Sequence, residues 1–453
     1  MPIADSSTTA TRLNPVTIVI SLLTGYLAYI SPGFAFCLLL IIALFYITIN
    51  HTDDKDRRFV LCAMCSAMVL RSLAIILVQY CCFRKGVLDI FGDAANNFHL
   101  GYGIEDVFKG NYNQLKILEE QTGWYNVHGL TFFNGIFFTL FGKNEIITLK
   151  HINGLAMVIS GWLIYDLTKE ICSSRAGKIA LCAVLFWPTL FVWSITGLKE
   201  SHLIFSLIFM FWCLSNFLKE RLLRKRLYLS ILIILSGCYA VSLRRPLLIL
   251  IPFTFVTTFI PLLFSRYKNR TLAEKKTIFF ISVISIFCLL NYRTDIFQML
   301  RNSYEKLIAY HRGYLGSGGW NYSLLGGSNN YYSLTFFAKY LTGAWFHFLL
   351  EPLPWHIFSL SMLASYPMMI IWYGVVFLSL IGVARVMQDG KTKEIFPFLI
   401  FTISYISMIG MSIANIGTVV RFRDTIMPII AIFASCGLIK SSNPFQGGQR
   451  TKT

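Results

Sequence analysis

FVLCAMCSAMVLRSLAIILVQY, residues 59–80, decides the class of this chain. It is an apolar run of the roughly 20 helical residues needed to cross a hydrocarbon core about 30 Å thick, broken only by Arg71. Working outward, similar runs recur at 15–31, 34–50, 149–168, 177–195, 202–217, 227–243, 247–264, 277–292, 366–386, 395–413 and 425–440. The whole chain reads the same way. Of its 453 residues, 55% are hydrophobic and 14% charged, and its mean hydropathy is +0.61. A soluble domain needs a charged shell that this chain lacks, so the fold expected is an all-α polytopic membrane protein with about twelve transmembrane helices.

The net charge of +18 does not mark a nucleic-acid groove. Its basic residues concentrate in short connections: LKERLLRKR (218–226), SRYKNRTLAEKK (265–276) and DGKTKE (389–394). Under the positive-inside rule these read as cytoplasmic anchors. With a cytoplasmic N-terminus, twelve spans also place DKDRR (54–58), TKEICSSRAGK (168–178) and the tail 441–453 inside. The two longest polar segments, about 81–148 and 293–365, then become outer caps on a single membrane unit covering 1–440. Within them, GLTFFNGIFFTLFG (129–142) and LTFFAKYLTGAWFHFLLEPLPW (334–355) read as interfacial helices, because a crossing there would invert every later loop. The polar N-terminus precedes no cleavage-type segment, so the first span is expected to stay. The 11 cysteines lie mostly inside apolar runs without zinc or disulfide spacing, and neither a metal nor a cofactor is expected.

The unusual charges gather on the outer side. Asp93 lies in FGDAANNFHLGYG (91–103), a polar loop that also holds His99 and follows Asp89. Lys199 and Glu200 occupy the short connection in WSITGLKESH (193–202), where Glu200 reads either as a site acid or as a helix-capping acid. Arg244 and Arg245 join two spans on the outer side, and Arg421 and Arg423 in NIGTVVRFRD (415–424) precede the last one. Four outer arginines call for an anion. Guanidinium forks suit a phosphate, and Asp424 or Glu200 would serve as protein partners instead. Arg71, deep in its span, reads as a lipid-phosphate ligand or one half of a structural pair, the pair being favoured by its depth.

A carboxylate, phosphate-binding arginines and an aromatic cap, GYLGSGGWNYSLLGGSNNYY (313–332), suit a sugar carried on a polyprenyl phosphate. The carboxylate would take a proton from the acceptor hydroxyl, and the arginines would stabilise the departing phosphate.

An ordered series of motifs carries a family resemblance. Asp93, Ala94 and Phe98 come first, then FFNGIFFTLFG (132–142), then a span entered through Lys150 or His151. FWPTLFVWS (186–194), Glu200, PLPW (352–355) and Arg421-x-Arg423 follow in order. In this the chain resembles the GT-C membrane glycosyltransferases, especially the bacterial branch related to protein O-mannosyltransferases and aminoarabinose lipid A transferases. The resemblance implies that Asp93 is the catalytic base and that Glu200 organises the site. It also implies a polyprenyl-phosphate-linked sugar donor, a lipid, glycan or protein acceptor, and a place in the bacterial inner membrane. Two features depart from the family: Ala94 stands where many relatives have a second acid, and NVHGL (126–130) replaces an expected surface-helix proline. An O-antigen-type repeat-unit polymerase or ligase shares the span number and the outer arginines. A lipid-linked glycan flippase would show repeated, interrupted spans in two halves, and no such symmetry is present.

Overall fold

The computed structural model describes residues 31–114, 116–117, 129–267, 304–313, 315, 324, 333–353 and 360–439. Among these residues every extended element is a helix. They are α1 (Pro32–His51), α2 (Asp54–Arg84), α3 (Gly92–Phe108), α4 (Gly129–Phe141), α5 (Ile146–Ile171), α6 (Ser174–Phe186), α7 (Pro188–Ser194) and α8 (Glu200–Lys219). After them come α9 (Leu223–Leu243), α10 (Leu247–Tyr267), α11 (Leu334–Leu350), α12 (Leu360–Gln388), α13 (Thr392–Ser412), α14 (Ile416–Arg423) and α15 (Met427–Leu438).

Seven helices among the described residues are long and apolar enough to cross a bilayer: α1, α2, α5, α8, α9, the Tyr366–Gln388 part of α12, and α13. The bent pair α6–α7 makes an eighth if it counts as one span. Helices suit this setting because they satisfy every interior backbone group internally where lipid offers no partner. Their outward residues are apolar as well: Leu73 and Phe83 on α2, Leu227 and Ile234 on α9, and Phe377 on α12 are all exposed. Local signals set several starts. Ser31 caps α1 by accepting the Phe34 amide at 3.1 Å, with Pro32 behind it. Ser173, Ser333 and Asn415 cap α6, α11 and α14 in the same way.

Two sequence expectations change here. The run 177–195 is not one straight helix: it breaks at Trp187 and turns by 56° into α7. Pro188 causes the break, since proline disfavours α backbone in the residue before it. The stretch 92–108, expected as a polar loop, is the helix α3. It buries Ala94, Asn97, Phe98, Gly101, Ile104 and Glu105, a helical stripe hidden by its many polar letters. The two segments expected at the interface are helices too short for a straightforward crossing, 13 residues in α4 and 17 in α11. The run 15–31, except Ser31, and the run 277–292 lie outside the described residues, as does most of the aromatic segment 313–332.

The described residues form two compact units. The first contains α1, most of α2, α3, α4, the start of α5 and the segment 194–198. Its core joins Cys37, Phe98, Phe137, Phe138, Leu149 and Ile152. The second contains the rest of α5 and α6 through α15. There, Gly382 of α12 and Gly437 of α15 each lie directly against the other helix's backbone, the close approach that small residues allow between membrane helices. Phe211 of α8 packs on Phe398 and Phe401 of α13.

Within this second unit the connections sort by charge. Lys219, ending α8, pairs with Glu170 near the end of α5. Lys391, starting α13, donates to the carbonyls of Ile171 at 2.7 Å and Glu170 at 3.2 Å. Three basic connections therefore meet at one end of the unit. The first residue of α8, Glu200, and the last turn of α9 lie a full helix length away from them.

Candidate active site

The second unit brings three of the expected site residues together. Glu200 is the first residue of α8 and is 1% exposed. Its Oε1 accepts from Arg421 Nε at 2.6 Å and from Arg244 Nη2 at 3.4 Å. Its Oε2 is buried with no hydrogen-bond partner among the described residues. Arg244 is equally well held: Nη1 donates to the Tyr405 hydroxyl at 2.7 Å and to Thr425 Oγ1 at 2.9 Å. Its guanidinium also lies 3.7 Å from the centre of the Phe422 ring, a close cation–π contact. Two arginines on one carboxylate leave the group with a net positive charge, and Arg421 is the member still partly open to its surroundings.

The other arginines go elsewhere. Arg423 donates to the Glu351 carbonyl at 2.8 Å and lies over Trp372 at 4.6 Å, so it braces Glu351 and α12 rather than Glu200. Glu351 itself binds His347 at 2.8 Å and the Leu353 amide at 3.0 Å. Arg245 is exposed at the corner between α9 and α10. Lys199 is the half-buried cap residue of α8. Asp424 accepts from the Trp193 indole at 2.6 Å. Burial lifts its carboxyl to about 6, against the opposing pull of Trp193 and Arg423.

In the first unit, Asp93 is exposed in the first turn of α3, where the helix dipole favours a negative charge. His99 is exposed on the same helix, edge-on to Tyr102. Arg71 is fully buried in α2, and its Nε donates to Ser194 Oγ at 2.8 Å.

Sequence reasoning missed several members. Tyr405 and Thr425 carry no local signal, since each looks like an ordinary residue of an apolar run. Lys150 did carry one: a cation in IITLKHINGLAMVIS (146–160) needs a buried partner. That partner is Asp89 at 2.9 Å, with both side chains wholly buried. Gln79 also accepts from Lys150, at 3.0 Å. Among the described residues no cluster of His, Cys, Asp or Glu could hold a metal ion.

An amphiphilic substrate also has room. A cavity of about 600 Å³ runs between α9 and α10, lined by Ile233, Ile234, Val241, Leu248, Ile251 and Phe255 among others. Its lining reaches Ser242 and Leu248, either side of the Arg244–Arg245 corner.

Comparison with known proteins gives one family match. Residues 129–292 match the family described as dolichyl-phosphate-mannose-protein mannosyltransferase. Over those residues, 164 of its 453, the chain is similar to this family of membrane glycosyltransferases. The matched segment runs from α4 to beyond α10 and includes Lys150, Lys199, Glu200, Arg244 and Arg245. Asp93 precedes it, and Arg421 and Arg423 follow it. A search of curated proteins returned no match.

Proposed function

We propose that the protein is a membrane glycosyltransferase that moves a sugar from a polyprenyl-phosphate donor to a lipid, glycan or protein acceptor at the outer face of a bacterial inner membrane. The observation that carries this reading is the convergence of Arg244 and Arg421 on one oxygen of the buried Glu200. The net positive group they form suits a phosphate, with Arg421 and the exposed Arg245 as the fork that meets it and Lys199 adding charge nearby in the chain. Arg244 is the fixed member. Glu200 Oε2, buried without a partner among the described residues, is an acceptor for a donor hydroxyl. The apolar cavity between α9 and α10 suits the polyprenyl tail.

Asp93 is the base in this reading. The acceptor hydroxyl loses its proton to Asp93 as its oxygen bonds to the anomeric carbon. The bond from that carbon to the phosphate oxygen breaks, and the departing polyprenyl phosphate takes the electron pair. Arginines placed before the reaction stabilise that growing charge without having to reorganise. His99, exposed on the same helix, is a further contact for the substrate sugar. The reading has twelve crossings with both termini cytoplasmic, and the gathering of three basic connections at one end of the second unit supports placing those connections on the cytoplasmic side. In that topology 1–440 is one membrane unit, 81–148 and 293–365 are outer caps carrying the interfacial helices, and 441–453 is a cytoplasmic tail.

The test is Asp93→Asn, assayed in membranes supplied with polyprenyl-phosphate mannose. A general base contributes about 10²–10⁴-fold, so transfer should fall at least about 100-fold with protein abundance unchanged. Activity surviving at a tenth of wild type or more would overturn Asp93 as the base.

A further inference from the structure

The five residues 194–198 are held by side chains from three helices of their own unit. Arg71 of α2 bonds Ser194. Asn153 of α5 donates to the Thr196 carbonyl at 2.5 Å and the Leu198 carbonyl at 3.4 Å. Asn97 of α3 donates to the Gly197 carbonyl at 3.1 Å. Asp89 Oδ2 accepts the Gly197 amide at 3.0 Å while it pairs with Lys150. A buried turn needs such partners, because its backbone groups have neither water nor a regular ladder.

The same Asp89 also organises the start of α3. Its Oδ1 accepts the amides of Ile90 at 2.7 Å and Phe91 at 3.5 Å, and Phe91 is the cap residue two places before Asp93. Phe91 has no side chain able to cap the helix, so the anchoring group comes from Asp89. Gly197 then fits against the first turns of α3. A methyl at Gly197 would meet the Phe98 ring at 2.5 Å and the Ala94 carbonyl at 3.3 Å. Asn97, which holds Gly197 from the other side, is one helical turn beyond Asp93. One carboxylate and one glycine thus join the Asp93 helix to the turn before Glu200.

We infer that Asp89, Asn97 and Gly197 are positioning residues for sugar transfer, setting the first turn of α3 and with it the place of the Asp93 carboxylate. The inference rests on the reading of Asp93 as the base. Its physical basis is the steep dependence of catalysis on the placement of the reacting group: a misplacement of about 1 Å can cost roughly 100-fold in rate. The lysine completes the arrangement by neutralising Asp89, whose burial as a lone anion would be costly.

The experiment is Gly197→Ala in the full-length protein, assayed in isolated membranes with polyprenyl-phosphate mannose. The added methyl should lower kcat by about 100-fold while donor KM stays within about two-fold and abundance is unchanged. Adding Phe98→Leu, which shortens the side chain that the methyl meets, should recover at least about ten-fold of that loss; Phe98→Leu alone is the control. Wild-type kcat in Gly197→Ala overturns the proposal, as does a parallel change in kcat and KM, or a double variant that recovers nothing. If Gly197→Ala does not accumulate, Asn97→Ala removes a hydrogen bond without adding bulk and should lower kcat about ten-fold at unchanged KM. Unchanged kcat there overturns the proposal equally. Asp93→Asn run in parallel separates the two claims. An active Asp93→Asn enzyme sinks the base, whereas an inactive one beside a fully active Gly197→Ala enzyme sinks only the positioning role.

Discussion

Arg421 Nε donates to Glu200 Oε1 at 2.6 Å, a charged hydrogen bond across 221 residues of chain. Arg244 shares that oxygen, so removing the carboxylate would leave a buried guanidinium whose remaining partners among the described residues are Tyr405, Thr425 and the Phe422 ring. Breaking a buried pair from one side costs about 3–5 kcal/mol. Glu200→Gln should therefore lower the thermal unfolding temperature in detergent, and Glu200→Ala should lower it further. Polyprenyl phosphate should stabilise Glu200→Gln more than it stabilises wild type, because its anion would take the vacated place between the arginines. Equal stabilisation of the two proteins would mean that the lipid phosphate does not bind there.

Arg421 and Arg245 are the arginines with open surfaces, and they should act mainly on the donor. Arg421→Ala or Arg245→Ala is expected to raise donor KM about ten-fold, since losing a charged hydrogen bond costs roughly 1.5–3 kcal/mol. The acceptor KM should move far less. Equal effects on both substrates would identify these arginines as structural. Arg421→Lys should restore only part of the loss, because an ammonium keeps the charge but not the fork.

Asp424 makes a pH prediction. Burial raises its folded-state carboxyl to about 6, above the unfolded value near 3.9. A raised carboxyl binds protons more tightly in the folded state. Its stability contribution is therefore fully present below about pH 4 and is lost as pH rises through about 6. Asp424→Asn cannot make this change. The unfolding temperature of Asp424→Asn should gain on wild type between pH 4 and 6 and hold a constant offset above pH 7. A temperature difference independent of pH over that range would contradict the assignment.

The contact of α12 with α15 predicts a steric effect. Gly382 faces the Phe433 carbonyl and Gly437 faces the Leu378 carbonyl, leaving no space for a methyl at either position. Gly382→Ala should lower stability by about 1–3 kcal/mol, the usual cost of overpacking. Gly374, on the same helix with open space around it, is the control, and Gly374→Ala should be near neutral. Similar unfolding temperatures for the two variants would count against the close packing.

The membrane helices were legible in the sequence because hydropathy and run length are local properties. Residues 59–80 announce α2, and Ser31–Pro32 announce the start of α1. The bend at Trp187 was legible too, through Pro188, though an apolar run of span length concealed it. The helix α3 was not, since its buried stripe includes Asn97 and Glu105, which look solvated in a list of letters. For the site, residue types and their grouping marked Asp93, Glu200 and the four arginines as exceptional.

Sequence alone thus determined a polytopic helical membrane protein with costly charges placed between its spans, because burying a charge or exposing an apolar run has a large cost wherever it occurs. Tertiary structure alone decided which charges meet. Glu200 takes Arg244 and Arg421, while Arg423 turns to Glu351 and Trp372. Asp89 finds Lys150 and the Gly197 amide, partners 61 and 108 residues away. Coulomb attraction and hydrogen bonding act over a few ångströms of space, and only the packing of helices distant in the chain brings those groups within that range.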